Sequence, residues 1–313
     1  MNKLEEIIVK LLGWTYGQKH SFVAFKALLY KLACGKIPFR RIAITIFALI
    51  QLFLSACFRT PQIPCGEELD LSGYVPVFTD EFVGNELNTD VWNHRCEGTR
   101  RFGFNADSQV TVKNGTCVIT GEYLKQGKYG AGWYTGAIAL KKLYARGYFE
   151  IRCKCNRDYG FWSAFWLQAS GDPYDHVRSD GGRQAVEVDI MESYNKTSKS
   201  RLMMNTIDST IHCNGVDDNK EKIDSEKIGT FYINDIFDTY NTYGLMWNED
   251  EYIFYINGKE TGRSSFGKGV CVNPEEVIVS LEIPEQLPEE ITGNLNYKTQ
   301  MVVDYVKIYQ LAE

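Results

Sequence analysis

Three carboxylates fall within six residues in the segment Glu187-Val188-Asp189-Ile190-Met191-Glu192, whose other side chains are apolar. The alternation at its start predicts a half-buried strand with Glu187 and Asp189 on one face. Glu192 is out of phase by one residue, and a β-bulge near Ile190-Met191 would return it to that face. Carboxylates this close push their pKa values apart, so one can serve as an acid and another as a base or nucleophile. The alternative, in which one of the three faces solvent without a role, is disfavoured because acidic residues are poor strand formers.

The composition is that of a β-rich globular protein. The chain has 313 residues, of which 13% are aromatic, with 27 glycines and 8 prolines. The net charge is −6 and no stripe of lysine or arginine interleaves with the aromatic residues, so no nucleic acid partner is expected. An acidic domain rich in aromatic side chains suits a neutral, ring-shaped ligand such as a sugar. The nine cysteines include no C-x-x-C pair, and Cys153 and Cys155 are interpreted as small buried side chains on one apolar strand face.

The amino-terminal segment has the features of a secretion signal. Arg40 and Arg41 precede an apolar run, Ile42 to Leu54, that is short for a membrane span but suits a signal-peptide core. The run ends in Leu54-Ser55-Ala56-Cys57, which resembles the bacterial lipobox. Residues 1–57 are therefore predicted to be an extension and lipoprotein signal peptide, with Cys57 as the lipidated residue. The alternatives are an uncleaved membrane anchor and a buried helix.

Lipidation of Cys57 predicts a protein held on the membrane of a bacterial cell envelope, facing the periplasm or the cell exterior. Residues 58–72 contain Pro61 and Pro64 and lack a regular pattern, so they are predicted to be a tether. The globular domain is then expected to span residues 73–313.

Turn signals divide this domain into many short strands. Asn114-Gly115 and Asn257-Gly258 each separate two apolar stretches, which is the strongest short-range hairpin signal. Long helical periodicity is absent, so the pattern predicts an antiparallel sandwich. The charge-dense stretch from Val216 to Lys227 is interpreted as a solvated loop rather than a calcium loop. Further strands are predicted at 136–140, 147–155, 163–168, 185–191, 201–207, 242–247, 277–282 and 301–309.

The pattern Glu187-x-Asp189-x-x-Glu192 is similar to the catalytic signature of glycoside hydrolase family 16, in its bulged form. The resemblance extends over residues 74–311 through blocks in the same order as in the family: Phe78-Thr79-Asp80-Glu81-Phe82, Trp92-Asn93, Val112 to Gly115, Gly147 to Glu150, Phe161 to Trp166, Tyr243 to Trp247 and Asp304 to Tyr309. It implies an all-β jelly-roll sandwich, concanavalin A-like, with a concave groove for a linear polysaccharide. It also implies internal cleavage of β-linked glucans or galactans with retention of configuration.

Carried over by position, the resemblance makes Glu187 the nucleophile, Glu192 the general acid and then base, and Asp189 the electrostatic helper between them. The chemistry fits these roles, since a retaining glycosidase needs two carboxyls about 5–5.5 Å apart, one ionised and one protonated. A third carboxyl can hydrogen-bond to the nucleophile and help to raise the pKa of the acid. No cofactor is expected for catalysis.

Several other residues are candidates for substrate or ion binding. Trp133, Trp162 and Trp166 could stack on sugar rings, with core packing as the alternative for each. Trp162 and Trp166 lie four apart in a strand and therefore share a face, whereas Phe161, Phe165 and Leu167 should fill the opposite face. His212 and Asn105 are further candidates for substrate contact, although a lone histidine is more often structural. Glu81 and Asp304 match positions near a structural calcium site in some relatives.

The substrate is the least determined property. A β-1,3(4)-glucan is the first expectation, and a β-galactan (agar-like, carrageenan-like or host-derived) is the alternative. Ser163 replaces a proline common in the family, and the long polar segment from Gly171 to Arg183 precedes the catalytic strand. A non-catalytic lectin on the same sandwich is a different class, which three clustered carboxylates argue against. A transglycosylase would share the nucleophile and exclude water.

Overall fold

The computed structural model describes residues 61–157, 159–169, 186–193, 205–213, 225–266 and 269–312. The chain divides into two compact units, residues 1–63 and 64–313. The predicted signal peptide, Cys57 and the polar segment from Gly171 to Arg183 lie outside the described residues. Within the described part of the chain, no helix has the length and hydropathy that a membrane span requires.

The second unit consists almost entirely of β-strands. Its described residues include one α-helical turn, α1 (Glu289–Thr292), and one 3-10 turn at Asp107–Gln109. The strands are β1 (Tyr74–Asp80), β2 (Trp92–His94), β3 (Gly98–Arg100), β4 (Gly103–Asn105), β5 (Val110–Lys113), β6 (Thr116–Gly127), β7 (Gly130–Leu140), β8 (Gly147–Lys154), β9 (Trp162–Gln168), β10 (Val186–Ser193), β11 (Thr206–Cys213), β12 (Ser225–Tyr232), β13 (Asn241–Trp247), β14 (Tyr252–Ile256), β15 (Lys259–Ser264), β16 (Glu276–Glu282) and β17 (Lys298–Leu311).

The strands form the predicted jelly-roll sandwich. The front sheet has the order β2-β7-β16-β9-β10-β11-β12 and is antiparallel throughout. The back sheet is centred on β17, which pairs with β8 along one edge and with β6 and β1 along the other; β13, β14 and β15 continue it beyond β8. The long strand β7 contributes to both sheets. One apolar core fills the space between the sheets, and Cys153 and Cys155 lie in it as free thiols.

Both predicted hairpin turns are present. Asn114 and Gly115 have φ angles of 55° and 73°, and Asn257 and Gly258 have φ angles of 50° and 73°. Positive φ at both central residues matches the twist of the flanking strands, and asparagine followed by glycine adopts this conformation at low cost. These turns fix the registers of β5 with β6 and of β14 with β15.

Part of the segment predicted to be a tether is bound to the domain. The backbone N–H of Gly66 donates to the carbonyl of Glu260 (3.1 Å), and that of Leu69 donates to the carbonyl of Gly258 (2.8 Å). Leu69 and Leu71 pack against an apolar cluster on the outer side of the back sheet, formed by Tyr148, Met246, Ile253 and Tyr255. These contacts move the start of the compact unit from Gly73 to Pro64.

A second correction concerns the charge-dense stretch that was interpreted as a loop. Its last residues, Ser225 to Lys227, belong to β12, the edge strand of the front sheet. Edge strands of natural sheets often carry charged side chains, so their composition resembles that of a loop. The earlier part of the stretch, residues 216–224, lies outside the described residues.

Candidate active site

The three carboxylates lie on one face of β10, near the middle of the front sheet. Glu187 and Asp189 are opposite Gln168 and Trp166 of β9, and the register then shifts by one residue before Glu192. The same shift appears in the pairing with β11. Ile190 and Met191 both lie in the core between the sheets. The predicted bulge is therefore confirmed, and it turns Glu192 to the groove face.

Each carboxylate has a different neighbour. The Gln168 side-chain amide donates a hydrogen bond to Glu187 Oε2. His212 Nε2 lies 3.1 Å from Asp189 Oδ2, and Trp162 Nε1 donates to Glu192 Oε1 at 2.6 Å. Each carboxylate thus has a partner on a neighbouring strand, β9 or β11.

The electrostatic environment raises the proton affinity of Glu187. Burial raises the pKa of Glu187 to about 7, and the negative charges of Asp189 and then Glu192 add to the shift. His212 and the hydrogen bond from Gln168 oppose it. Glu187 therefore gains or loses a proton near neutral pH.

His212 is at the site, as predicted, and contacts a carboxylate. It is directly opposite Glu187 across β10 and β11, and its Nδ1 lies 2.5 Å from Ser225 Oγ. Among the described residues, Glu187, Asp189 and His212 offer ligand atoms within 4.8 Å of one another, a spacing that a divalent cation could use. Proton transfer and nucleophilic attack by carboxyls need no such ion.

Trp162 and Trp166 project from β9 on the groove face, opposite the buried Phe161, Phe165 and Leu167, as predicted. Each tryptophan has only 7% of its surface exposed. The guanidinium of Arg101 lies 5.1 Å from the centre of the Trp162 ring, and that of Arg95 lies 4.7 Å from the Trp166 ring. Arginines therefore cover part of the surface that was expected to stack on sugars.

These arginines belong to a segment that sequence reasoning did not single out. Arg95 Nε donates to Glu276 Oε2 at 3.1 Å, and its guanidinium also donates to Gln168 Oε1 at 2.5 Å. The side-chain amide of Gln168 in turn donates to the nucleophile candidate Glu187. Arg100 and Arg101 both form ion pairs with the same oxygen, Glu282 Oε2, each at an N···O distance of 2.6 Å.

Glu282 is the buried anchor of the two arginines. Burial alone would raise its pKa, but Arg100 and then Arg101 outweigh that effect and lower it. The sequence offered only the adjacent pair Arg100-Arg101 as a signal, and their partner is more than 180 residues away.

Asn105 and Trp133 have structural positions. The Asn105 amide is buried and donates to the carbonyl of Arg95 (3.3 Å), so it holds the arginine segment in place. Trp133 lies in the core between the sheets, against Tyr123, Phe161 and Tyr297. Trp133 therefore packs in the core, which was the alternative to sugar stacking, because this part of β7 belongs to the back sheet.

The two residues proposed to lie near calcium each contact a cation. Glu81 lies 3.2 Å from Lys307 Nζ, and Asp304 forms an ion pair with Arg152. The calcium site stays a prediction.

Sequence reasoning missed two groove residues on β11 and β12. Asp208 is directly opposite Glu192, and Lys227 Nζ lies 3.0 Å from Asp208 Oδ2. The alternation of β11 was the available signal, because Asp208, Thr210 and His212 share one face.

Comparison with known proteins agrees with the site. Residues 74–311 match the family model described as the GH16 domain of β-porphyranases A–D. The chain belongs to glycoside hydrolase family 16. Among curated proteins, the chain is 26% identical to the endo-1,3-1,4-β-glycanase ExsH of Rhizobium meliloti over 271 residues. The alignment covers 78% of the chain and 53% of that protein. The chain is 27% identical to a β-glucanase of Acetivibrio thermocellus, covering 64% of the chain and 53% of that protein. The chain thus spans about half the length of these relatives.

Solved structures of family members share the fold. Porphyranase B of Zobellia galactanivorans superposes with a TM-score of 0.64 at 21% identity, covering 81% of the chain and 99% of the porphyranase. SCLam, a non-specific endo-β-1,3(4)-glucanase, superposes with a TM-score of 0.62 at 21% identity, covering 80% of the chain and 97% of SCLam. Glucan-degrading and porphyran-degrading proteins therefore both resemble this family 16 chain.

Proposed function

We propose that the protein is an endo-acting, retaining β-glycanase that cleaves internal linkages of a polysaccharide. The observation that carries the proposal is the bulged strand β10, which sets Glu187, Asp189 and Glu192 on the groove face with a separate partner for each. A β-1,3(4)-glucan is the first candidate substrate. The names of the curated relatives, a glycanase acting on 1,3-1,4-β linkages and a β-glucanase, support it.

The reaction proceeds in two steps at these carboxyls. Glu187 attacks the anomeric carbon while Glu192 gives its proton to the leaving oxygen, which forms a glycosyl–enzyme ester and releases one part of the chain. Glu192, now ionised, takes a proton from water, whose oxygen displaces Glu187. Asp189, beside His212, stabilises the charge that shifts between the two glutamates.

A polysaccharide panel tests the activity. The full chain is incubated with laminarin, lichenan, agarose, porphyran and κ-carrageenan, and new reducing ends are measured together with product size. We expect oligosaccharides of mixed length from the earliest times, and a Glu187→Gln variant without activity. Binding of a polysaccharide without new reducing ends would support the lectin alternative, and longer products from added acceptors would support a transglycosylase.

A β-galactan is the second candidate substrate. The matching family model is that of β-porphyranases, and porphyranase B is among the similar structures. Three arginines also lie along the groove face, where they could bind acidic groups on a sugar chain. Degradation of porphyran or carrageenan, but not of laminarin or lichenan, would favour this substrate.

We also propose that Cys57 carries a lipid that holds the enzyme on the bacterial cell envelope, on the basis of the lipobox-like Leu54-Ser55-Ala56-Cys57. Labelling with a lipid precursor and membrane fractionation test this. Cys57→Ala is expected to abolish the label and to shift the protein from the membrane fraction or block its processing. Unchanged labelling and processing would contradict it.

The calcium site near Glu81 and Asp304 is proposed on the family resemblance alone, and a change in thermal stability on chelation tests it.

A further inference from the structure

A fourth carboxylate faces the groove. Asp208 on β11 is directly opposite Glu192 on β10. Directly opposed residues of antiparallel strands have Cβ atoms about 4.5–5.5 Å apart and project to the same face. Asp208 is largely buried. Its charge therefore acts on Glu192 at short range and with little screening by solvent.

Two residues of β12 hold Asp208 in place. The Thr230 hydroxyl donates to Asp208 Oδ1 at 2.5 Å, and Lys227 Nζ lies 3.0 Å from Asp208 Oδ2. Thr230 is directly opposite Asp208 in the sheet. The Lys227 side chain is 34% exposed, so the buried carboxylate of Asp208 is paired with a cation that reaches solvent. Both carboxylate oxygens of Asp208 are thus bound by residues of β12, which lies on the other side of β11 from Glu192.

We propose that Lys227 is a positioning residue that neutralises Asp208, and so keeps the charge of Asp208 from changing how readily Glu192 holds its proton during catalysis. This inference rests on the proposed function of Glu192 as general acid and base. In the intact pair, Lys227 cancels most of the field that Asp208 exerts on Glu192. Without Lys227, Asp208 becomes an uncompensated anion that stabilises protonated Glu192. Without the charge of Asp208, the lysine cation stabilises the carboxylate form, so the two substitutions act in opposite directions.

Among the described residues, the other charged groups near Glu192 are the same in each of these variants. Asp189 and Glu187 lie on the same strand, and His212 lies beside Asp189. From β9, the Trp162 indole donates to Glu192, and Ala164 is directly opposite it. Beyond Trp162 lie Arg101 and, on β16, Glu282. Differences among the variants therefore report on the pair itself.

The indole N–H of Trp162 provides a readout that does not require substrate. Because it donates to Glu192 Oε1, its ¹⁵N–¹H resonance should follow the protonation of Glu192 with pH. We expect the midpoint of this titration in the full chain to move down by about half to one pH unit in Asp208→Asn, and up by a similar amount in Lys227→Met. The double variant should return close to the wild-type midpoint.

Two control variants separate charge from packing. Thr230→Val removes a hydrogen bond from Asp208 without changing a charge, and Lys259→Met removes an ion pair with Glu68 on the opposite sheet. Both should leave the Trp162 midpoint unchanged. Equal shifts in Thr230→Val, or shifts of the same sign in Asp208→Asn and Lys227→Met, would overturn the proposal.

Kinetics then connect the pair to catalysis. On the polysaccharide that the wild type degrades, the alkaline limb of kcat/KM should shift in the same directions as the Trp162 midpoints. A dinitrophenyl β-glycoside needs no proton for departure of the aryl group, so its glycosylation rate should differ less than threefold among the variants. An equal loss of activity on the polysaccharide and on the aryl glycoside would show that the pair has only a structural role. If the wild type degrades no polysaccharide, the proposed function fails, while the NMR titration still decides whether the pair acts on Glu192.

Discussion

Glu187 faces opposing demands, because a nucleophile must be ionised and its surroundings favour the proton. Burial and the neighbouring carboxylates raise its pKa to about 7, and His212 and Gln168 limit the shift. Since only the ionised form attacks, kcat/KM should fall as the pH decreases below about 7. An acid limb near pH 4.5 would show that substrate or a change in the cluster removes this shift.

The same shift has a consequence for stability. The pKa of Glu187 rises from its ordinary value of 4.5 to about 7 on folding, so the folded state binds this proton more tightly than the unfolded state. The resulting stabilisation is complete below about pH 4.5 and is lost as the pH increases to about 7. Relative to the wild type, Glu187→Gln should therefore gain up to about 3 kcal/mol in unfolding free energy between pH 4.5 and pH 8. Urea unfolding at the two pH values measures this, and an equal difference at both would contradict it.

The assignment of nucleophile and acid leads to a stereochemical prediction. Glu187→Ala should be inactive on every substrate, and azide should rescue it with inversion, because the anion attacks from the vacated face. Glu192→Ala should retain the first step on an activated aryl glycoside, and azide should then give a product with retained configuration. NMR of the azide products identifies the anomers. Exchange of the two outcomes would reverse the assignment, and wild-type activity in both variants would place the active site elsewhere.

The two groove tryptophans form a matched pair with different hydrogen-bond partners. Trp162 Nε1 donates to Glu192, whereas Trp166 Nε1 donates to Ser280 Oγ at 3.1 Å. Trp162→Phe should lower kcat on polysaccharide about tenfold, since a hydrogen bond to a charged group contributes about 1.5 kcal/mol or more. Trp166→Phe should change kcat less than threefold. Equal losses in both variants would indicate that only the ring volume matters.

At the scale of elements, β3 and β4 are joined by a short turn that is fixed to the end of β16. Arg100 and Arg101 converge on the buried Glu282, and the N–H of Phe102 donates to the carbonyl of Pro284 (3.1 Å). These contacts place the arginines over the groove and bring Arg101 to the Trp162 ring. The buried carboxylate therefore positions groove side chains that are far from it in sequence.

Loss of this carboxylate should destabilise the fold and the groove together. Glu282→Gln leaves two guanidiniums without their anion, and we expect a loss of about 2–3 kcal/mol in unfolding free energy. Glu285→Gln is the matched control: its side chain is 83% exposed and lies 3.9 Å from Arg101, so it should cost less than about 0.5 kcal/mol. Chemical denaturation measures both. Similar values for the two variants would show that burial of Glu282 contributes nothing to the ion pair.

At the scale of the whole molecule, the second compact unit extends beyond the sandwich. Residues 66–71 lie along the β14–β15 hairpin, and Leu69 and Leu71 cover an apolar cluster on the outer side of the back sheet. A chain starting at Pro64 should therefore unfold at the same temperature as the second unit of the full chain. A chain starting at Gly73 should be less stable by about 2–4 kcal/mol, because it lacks Leu69 and Leu71 and exposes the tyrosine and methionine surface that they cover. Equal melting temperatures would show that the segment is a tether after all.

The sequence alone determined the properties that depend on neighbours along the chain. Alternation placed Glu187 and Asp189 on one face, the extra residue in Ile190-Met191 predicted the bulge, and the two Asn-Gly turns predicted their hairpins. Each of these depends on strand geometry over a few residues, so composition and spacing were sufficient.

The tertiary structure alone decided which distant residues meet at the site. Arg95 reaches Glu276 across 181 positions, and Arg100 reaches Glu282 across 182. Asp208 faces Glu192 because β10 and β11 share a register, and Lys227 joins them from an edge strand whose composition resembled a loop. Trp133 lies in the core since its part of β7 belongs to the back sheet. Such contacts depend on strand order and register in the folded sandwich, which no local pattern in the sequence encodes.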